Sequence, residues 1–293
     1  MKISAIVNCF NEEDFIYYSL GSIYKNVDEI VVVDNKSDDK TPEIIENFIA
    51  KNDNERKVKF FPLQSRMQLA AVRNFALSKS SNEWTIKWDG DFCAFDSNDE
   101  LAQKCAAFSN LIDIVKQKSD ICDFFLLYSL NVCGDIYHYD STRKYLGLSG
   151  DSFIGKKSCI KYDVNEKYGD VGILRRPDGT SPRMMYLNNP DVNDMYFLHF
   201  YGVKDDRYLL YRRFLSEYQV WIANNEMIDF WEWMSVVKNY DSSSGVSYVR
   251  KKMLENMIKH NISLPKIINP IIENPRYLIK YENEIVSDRI SFF

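Results

Sequence analysis

Four short runs of apolar residues occur in the first hundred positions of the chain, and a stretch with helical apolar spacing follows each of the first three. The runs are Ile3–Val7, Glu29–Asp34, Val58–Phe61 and Trp84–Trp88. Continuous runs rich in β-branched residues are typical of parallel strands that are covered on both faces. The order βαβαβαβ therefore predicts an α/β fold with an open, mostly parallel sheet, right-handed crossovers and flanking helices.

Helices are predicted between these strands from capping residues and from the spacing of apolar residues. Asn11 is positioned to cap a helix whose first turn holds acidic residues at 12–14, which a helix N-terminus favours. Thr41 and Pro42 predict the start of a second helix that runs to about Ala50. A third helix is predicted over Met67–Ser78 from its apolar spacing.

The second half of the chain has a different residue pattern from the first. Its middle, from about 141 to 187, has clusters of Gly, Pro and Asp that indicate loops and hairpins, and the tail is predicted to be mainly helical. The predicted elements are a helix over Asp99–Lys118, strands over Cys122–Leu130 and Met195–Phe200, and helices over Tyr208–Trp221, Glu226–Val237 and Val246–Lys259.

Composition narrows the class of protein. Hydrophobic residues make up 45% of the 293 positions and charged residues 27%, as in an ordinary globular protein, and the formal charge of −5 argues against binding to nucleic acid. The first apolar run is too short for a signal peptide, and none reaches the ~20 residues of a membrane span. The six scattered cysteines are therefore expected to be free thiols in the cytoplasm.

Polar residues follow three of the four predicted strands and form the candidate site. They are the segments 8–11, 34–39 and 89–91, and Arg73 and Asn74 lie on the helix after the third strand. In open α/β sheets, ligands bind beyond the carboxyl ends of the strands. These groups are therefore expected to meet at one edge of the sheet.

The triplet Asp89-Gly90-Asp91 is the most informative of these segments. Alternate carboxylates in an extended segment point to the same side, and the glycine between them lets a ligand approach the backbone. Two such oxygens form part of a shell for Mn²⁺ or Mg²⁺, which diphosphate oxygens and water would complete. The alternative is a plain Asp-Gly turn, but the position at the end of a buried strand favours the metal site.

Four ordered motifs within residues 1–100 together resemble the family 2 glycosyltransferases, which have the GT-A fold. They are Ile6–Glu13 (IVNCFNEE), Ile30–Thr41 (IVVVDNKSDDKT), Ala71–Ala76 (AVRNFA) and Asp89–Asp91 after Glu83-Trp84. The resemblance implies that residues 1–110 bind a nucleotide-sugar and that residues 111–204 bind the acceptor. Residues 205–293 would be a helical C-terminal extension.

The resemblance also implies roles for individual residues. Phe10 would stack on the nucleobase, Asn8 and Asn35 would hydrogen-bond to the base or the ribose, and Arg73 would reach the diphosphate. The expected nucleotide-sugar-binding set is Asn8, Phe10, Asn11, Asp34, Asn35, Arg73, Asp89, Gly90 and Lys204, and UDP-sugars are the favoured donors. Asp34 could equally be a loop carboxylate, and Arg73 a solvated residue on a helix.

His199 is the third candidate metal ligand beside Asp89 and Asp91. It is one of three histidines and ends an apolar run, and related GT-A enzymes often complete the metal shell with a late histidine. A satisfied core histidine is the alternative. Four cations that follow could cover the diphosphate or form the solvated face of a helix: Lys204, Arg207, Arg212 and Arg213.

A direct displacement with inversion, which the resemblance implies, needs a carboxylate base to deprotonate the acceptor. Asp170 is the first choice, followed by Glu166 and Asp151, and each could also be a plain loop carboxylate. The acceptor would be a glycan, a lipid-linked molecule or a protein. Peripheral membrane contact and oligomerisation stay open.

Two rival functions fit the residues less well than glycosyl transfer does. A sugar nucleotidyltransferase would normally have a glycine-rich phosphate loop after the first strand, and the segment 8–11 has no glycine. A non-catalytic sugar- or partner-binding protein would keep this fold without turnover. The presence of Asp89, Asp91 and Arg73 argues against it.

Overall fold

A computed structural model gives the structure of the chain. It describes residues 1–96, 99, 107–141, 153–165, 169–187, 195–222, 225, 228–241, 244–245, 251, 255–260, 262–278, 280–281 and 284–285. The strands are β1 (Ile3–Cys9), β2 (Glu29–Asp34), β3 (Val58–Pro62), β4 (Trp84–Asp89), β5 (Phe92–Ala94), β6 (Phe124–Leu126), β7 (Leu130–Cys133), β8 (His138–Asp140), β9 (Phe153–Lys156), β10 (Ile160–Asn165), β11 (Gly169–Leu174), β12 (Met184–Tyr186), β13 (Phe197–Gly202), β14 (Met257–Lys259), β15 (Lys280–Tyr281) and β16 (Glu284–Ile285). The helices are α1 (Ile16–Ile23), α2 (Thr41–Asn52), α3 (Leu69–Lys79), α4 (Phe108–Lys118), α5 (Asp206–Ile222), α6 (Phe230–Val236) and α7 (Asn269–Glu273).

The main sheet has seven strands in the order β12-β6-β9-β4-β1-β2-β3. Every neighbouring pair is parallel except the two that involve β9, which lies antiparallel between β4 and β6. The predicted fold class, an open and mostly parallel sheet flanked by helices, is confirmed. Because the other six strands run in one direction, their carboxyl ends meet at one edge.

Alternate residues of the central strands enter two cores on opposite faces of the sheet. Val7 and Val32 pack in the core that includes α1, α2 and α4, whereas Ile6 and Val31 pack in the core that includes α3. Both sets are fully or almost fully buried. This explains the continuous apolar runs, since neither face of these strands meets water.

A second sheet of five strands, β14-β8-β7-β13-β5, brings later parts of the chain to the same region. β13 pairs with β5, the short strand just after Asp91, and with β7. The apolar run Cys122–Leu130 is therefore divided between β6 in the first sheet and β7 in the second, instead of forming one strand. The switch of sheets at 127–129 was not visible in the sequence, because the run is mostly apolar on both sides of it.

Two helix predictions are wrong in detail. Asn11 does not cap α1, which begins only at Ile16 after Phe15 and has no side-chain cap. The backbone of Asn11 has a φ of 55°, outside the helical region. Residues 257–259, placed at the end of a predicted tail helix, form β14 instead, where they pair with β8.

Asp123 fastens the outer strands of the main sheet to one another. Its buried carboxylate accepts hydrogen bonds from Lys156 Nζ (2.9 Å), Arg176 Nη2 (2.7 Å) and the Arg183 backbone N–H (2.9 Å). Lys156 ends β9 and Arg183 precedes β12, while Asp123 precedes β6. Burial would raise the pKa of Asp123, but these hydrogen bonds outweigh it and hold the pKa below its usual range.

Five cysteines in the described part of the chain are buried free thiols: Cys9, Cys93, Cys122, Cys133 and Cys159. None of the helices described there is long and apolar enough to cross a bilayer.

Candidate active site

The carboxyl ends of β1, β2 and β4 lie level with one another. Asn8 pairs with Asp89 across β1 and β4, and Cys9 pairs with Asp34 across β1 and β2. The three polar segments that follow these strands therefore start side by side at one edge of the sheet.

Asp91 lies at the centre of a buried cluster of charges at this edge, and is only 3% exposed. Its Oδ1 is 3.5 Å from His199 Nε2, and its Oδ2 is 3.7 Å from Lys204 Nζ and 3.6 Å from Arg212 Nη1. The Asp91 carbonyl accepts a hydrogen bond from the Phe200 N–H (2.9 Å). This bond ties the Asp91 loop to β13, which carries His199.

Glu12 adds a second buried carboxylate to the cluster. The Lys204 ammonium donates a hydrogen bond to it, and the Glu12 backbone N–H donates to Thr41 Oγ1 (2.7 Å). Burial raises the pKa of Glu12 to about 8; Lys204 opposes this rise and Asp91 adds to it. Burial would lower the pKa of Lys204, but Glu12 and Asp91 raise it above its usual value.

The negative charge of the cluster is concentrated on Asp91. Burial would raise its pKa, but His199 and Lys204 outweigh burial and hold the pKa well below its usual range. Asp91 Oδ2 nevertheless has no hydrogen-bond partner among the described residues. A buried oxygen without such a partner costs free energy, and a bound ligand would remove that cost.

The surroundings of His199 leave its Nε2 directed at Asp91. Its Nδ1 is 2.7 Å from Asn131 Oδ1, and its ring packs edge-on against Phe92 with centroids 4.6 Å apart. When Nδ1–H donates to Asn131, Nε2 faces Asp91 either as a second N–H donor, the contact that lowers the Asp91 pKa, or as a lone pair. In the second case the lone pair and the carboxylate are stabilised by a cation between them.

Asp91 and His199 therefore fit a divalent metal ion as an incomplete pair of ligands. No group of three or more His, Cys, Asp or Glu side chains suited to a metal occurs in the part of the chain that the structure describes. One carboxylate and one imidazole suit Mn²⁺ when phosphate oxygens and water supply the other positions. The buried Asp91 oxygen without a hydrogen bond supports this fit.

Asp89 contacts cations different from those around Asp91. Its Oδ2 accepts a hydrogen bond from Lys87 Nζ (3.1 Å), and its Oδ1 is 3.8 Å from Arg73 Nη2. Arg73 is buried on α3, and its guanidinium lies 5.3 Å from the centre of the Tyr162 ring. The contacts of the two aspartates therefore divide them between two clusters, whereas the sequence had predicted that both face one ion.

The reason for Gly90 also differs from the one inferred from the sequence. A Cβ at this position would lie 3.0 Å from both Cys9 Cβ and Glu12 Cγ, and 3.3 Å from Ile16 Cδ1. The glycine is therefore needed because the end of β1 and the loop after it press against the backbone. This space is filled by the protein and is not open to a ligand.

Asn8 is a buried amide that the fold leaves unsatisfied. Neither its Oδ1 nor its Nδ2 has a hydrogen-bond partner among the described residues, and the residue is 7% exposed. As direct neighbours in the sheet, Asn8 and Asp89 share one face. The expectation that Asn8 binds part of a ligand is consistent with this position, since a buried amide normally has partners.

Asp34 is engaged within its own loop. It is almost fully buried and accepts hydrogen bonds from the Ser37 N–H (3.1 Å) and the Ser37 hydroxyl (2.5 Å). Burial raises its pKa, and the bonds from Ser37 oppose the rise. These contacts match the alternative reading of Asp34 as a loop carboxylate that shapes the segment after β2.

Asn35 and Asn11 also hold loops in place. The Asn35 amide donates to the Met67 carbonyl (3.0 Å) and accepts from the Met67 N–H (2.9 Å). The Asn11 amide donates to Asp38 Oδ1 (2.6 Å) and accepts from the Asp38 N–H (3.0 Å). Each amide therefore makes one donor and one acceptor bond to a loop and keeps a second N–H and a second lone pair, so nucleotide binding by Asn11 and Asn35 stays a prediction.

Phe10 is half-buried at the mouth of the site, and its ring is covered by a cation. The guanidinium carbon of Arg66 lies 3.7 Å from the centre of the Phe10 ring and 5.9 Å from that of Tyr211 on α5. The Tyr208 hydroxyl is 3.5 Å from the Phe10 carbonyl. The ring that was expected to stack on a nucleobase thus already stacks on a charged group.

Of the four cations proposed as a flap over the diphosphate, two reach the site. Lys204 and Arg212 contact Asp91, as described above. Arg207 stacks on Trp231 at 4.5 Å, and Arg213 lies 3.6 Å from Glu217 one helical turn away. These last two match the alternative of a solvated helix face.

Of the three candidate bases, the structure describes only the backbone of Asp170. Asp170 lies in β11 opposite Val164 of β10, in a hairpin that packs on α3. Its side chain, like the whole of Glu166 and Asp151, lies outside the described residues.

Four residues of the site were missed in the sequence: Glu12, Arg66, Lys87 and Asn131. Lys87 carried a usable signal, because a lysine inside the buried run WTIKW must find a partner and Asp89 lies two positions on, on the same face. Glu12 was assigned to the first turn of a helix. No local signal marked Arg66 or Asn131, since their partners are distant along the chain.

Comparisons of the sequence with known proteins give one family model and one relative that match the N-terminal part of the chain or a similar length of it. Residues 4–110 match the model of glycosyl transferase family 2, which confirms the resemblance seen in the motifs. Over 106 residues the chain is 33% identical to an uncharacterized glycosyltransferase of Haemophilus influenzae. That match spans 35% of this chain and 40% of the relative, so it covers less than half of either protein.

The chain is also similar to two solved structures. One is S. aureus TarS 1-349, with 17% identity, a TM-score of 0.44, and coverage of 82% of this chain and 73% of that one. The other is the mannosyltransferase PcManGT from Pyrobaculum calidifontis, solved in complex with GDP-Man and Mn²⁺. It is 14% identical with a TM-score of 0.45, and the match covers 93% of this chain and 79% of that one.

Proposed function

Because residues 4–110 have the sequence of a family 2 glycosyl transferase, we propose that this chain transfers a sugar from a nucleotide-diphosphate-sugar to an acceptor. The observation that supports this best is the pairing of Asp91 with His199 at the carboxyl edge of the sheet. A buried carboxylate oxygen there has no hydrogen bond among the described residues, and two buried cations lie beside it.

Asp91 and His199 would hold a Mn²⁺ or Mg²⁺ ion, which neutralises charge on a departing diphosphate. Lys204 and Arg212 would then face the same diphosphate, and Glu12 keeps Lys204 in position. Asp89 would hold Arg73 and Lys87 beside the donor, as its contacts show for the two cations. The buried amide of Asn8 would hydrogen-bond to the donor next to Asp89.

The finer details of the reaction follow the family resemblance. A UDP-sugar is the favoured donor, and the acceptor is a glycan, a lipid-linked molecule or a protein. Residues 111–204 would bind this acceptor, and a carboxylate among Asp170, Glu166 and Asp151 would take its proton. The displacement would invert the anomeric centre.

A thermal-shift panel tests donor and metal binding together. UDP-, GDP-, CMP- and dTDP-sugars are each added with and without Mn²⁺ to the parent, to Asp91→Ala and to Asp120→Ala, an exposed carboxylate that serves as the matched control. A ligand at 100 times its dissociation constant adds about 2.7 kcal/mol of stability, so the melting temperature should rise by roughly 4–5 °C. We expect a metal-dependent rise with at least one donor, its loss in Asp91→Ala and its retention in Asp120→Ala.

If Asp91→Ala responds like the parent, the site is assigned wrongly. Release of free nucleotide from the bound donor then tests turnover. A donor that binds with metal but is never cleaved, even with a panel of acceptors, would favour the non-catalytic sugar-binding alternative.

A further inference from the structure

We propose that Arg66 makes the site selective for ligands that carry phosphates, because it exchanges the Phe10 ring for the diphosphate when a nucleotide binds. Without nucleotide it covers the Phe10 ring; with nucleotide, the base takes its place on that ring and Arg66 binds the diphosphate. The inference rests on the proposed function, because it requires a nucleotide to enter at Phe10. It adds a residue that determines specificity and that lies in none of the four motifs.

The contact that carries the inference is the stack of Arg66 on Phe10. At 3.7 Å between the guanidinium carbon and the ring centre, the two groups are in direct contact, and Tyr211 lies on the same guanidinium at 5.9 Å. Phe10 is half-buried and Arg66 is exposed, so the outer partner can leave without opening the core. An exposed cation–π contact is weak enough for a nucleobase to replace it.

Arg66 differs from the other cations of the site in the groups that its guanidinium contacts. Arg73 lies against Asp89, Lys204 against Glu12 and Arg212 against Asp91. Arg66 has no carboxylate partner among the described residues, and its recorded contacts are the two aromatic rings. A diphosphate would therefore gain a hydrogen-bonded cation here without breaking an existing ion pair.

The backbone of the loop that carries Arg66 is held in place, so the exchange involves movement of the side chain alone. Met67, the next residue, is held to the end of β2 by two hydrogen bonds with the Asn35 amide. The loop backbone is thus anchored beside the candidate nucleotide site, while the contacts of the Arg66 side chain among the described residues are with the two rings. We therefore expect the side chain to change partners by rotation, with the loop backbone unmoved.

The exchange predicts opposite effects on two kinds of ligand. For a nucleoside without phosphates, Arg66 is only a competitor for the Phe10 ring, so removing it should strengthen binding. For a nucleoside diphosphate, Arg66 also supplies hydrogen bonds, so removing it should weaken binding. A residue that merely supports the loop would change both affinities in the same direction.

The test compares UDP with uridine, and GDP with guanosine, on the full chain in the presence of Mn²⁺. Diphosphate affinity is measured by calorimetry and nucleoside affinity by ligand-observed NMR, for the parent, Arg66→Ala, Arg66→Lys and Arg56→Ala. Arg56 is the matched control, an exposed arginine just before β3 begins and hence at the opposite edge of the sheet. Circular dichroism and melting temperature check that each variant is folded.

We expect Arg66→Ala to lose roughly tenfold in affinity for the diphosphate and to gain about two- to fivefold for the nucleoside. Arg66→Lys should recover part of the diphosphate affinity, and Arg56→Ala should match the parent. Parallel losses for both ligands, or no change in either, would overturn the role of Arg66 while leaving the proposed function intact. Failure of the parent to bind any of the four ligands would overturn both.

Discussion

Two buried carboxylates in this chain, Asp123 and Asp91, are each surrounded by cations, but the contacts differ in kind. Asp123 receives hydrogen bonds on both oxygens, from Lys156, Arg176 and the Arg183 backbone. Around Asp91 the nearest nitrogens lie at 3.5–3.7 Å, and Oδ2 has no hydrogen bond among the described residues.

Electrostatics alone does not separate the two sites. The pKa of each carboxyl group lies below its usual range, because nearby positive groups outweigh the effect of burial in both. The hydrogen bonds do separate them, since saturated oxygens hold the fold together and an unsaturated buried oxygen is available to a ligand. We therefore expect changes at Asp123 to alter stability and changes at Asp91 to alter function.

The largest effect is expected for Asp91→Asn. The substitution keeps the shape but removes the charge that would hold the ion, so sugar transfer or donor cleavage should fall by at least about a hundredfold. The melting temperature without ligand should also fall, because Lys204 and Arg212 lose a buried counter-charge. Initial rates at saturating donor and Mn²⁺ measure the first quantity, and unchanged rates would remove Asp91 from the site.

Asp123→Asn should have the reverse profile. Breaking a buried ion pair from one side costs about 3–5 kcal/mol, and we expect about 2–3 kcal/mol because the three cations remain 27–50% exposed. The melting temperature should fall by roughly 3–5 °C. Denaturant unfolding checks the value against Asp120→Asn, an exposed carboxylate nearby; equal stability of the two variants would contradict the comparison.

The stabilising effect of Asp123 should also depend on pH. Its pKa is depressed in the folded state, so its contribution is complete above the unfolded pKa of about 3.9 and is lost as the pH falls toward the folded pKa. The difference in unfolding free energy between the parent and Asp123→Asn should be constant above about pH 5 and shrink below about pH 4. A difference that grows on acidification would show the sign to be wrong.

The smallest effect is expected for Arg183→Ala. Half of this side chain is exposed and its Nη2 is 3.4 Å from Asp123, while its backbone N–H, which the variant keeps, makes the shorter bond of 2.9 Å. We expect a loss of about 0.5 kcal/mol, or ~1–2 °C in melting temperature. A loss close to that of Asp123→Asn would mean that the guanidinium, and not the backbone, holds the strands.

The central strands were predictable because a strand that is buried on both faces consists of consecutive apolar residues. Glu29–Asp34 was predicted with its observed bounds, and the observed β1 and β4 extend the predicted runs by two residues and one. Three polar segments at one sheet edge follow from the same pattern. The division of 122–130 between two sheets was not predictable, because side chains on either side of the switch, such as Phe125 and Leu130, are fully buried.

The contacts within the site were harder to infer than its location. The carboxylates of Asp89 and Asp91 find different cations because Lys87 lies on the strand itself, whereas Lys204 and Arg212 arrive from residues more than a hundred positions later. The loop contacts of Asn35 and Asn11 were not predicted, since each amide accepts a hydrogen bond from a backbone N–H of another loop residue. Such pairings depend on tertiary contacts that no local pattern records.

The cations around Glu12 and Asp91 have a consequence for dissecting the molecule. Both carboxylates lie within the region 4–110 that matches the family, yet Lys204 and Arg212 lie outside it. A fragment that stops near residue 110 would keep both carboxylates and lose Lys204 and Arg212, the two cations that neutralise their charge. The family region is therefore not a detachable module, and grafting it onto another protein would require the β13–α5 junction to travel with it.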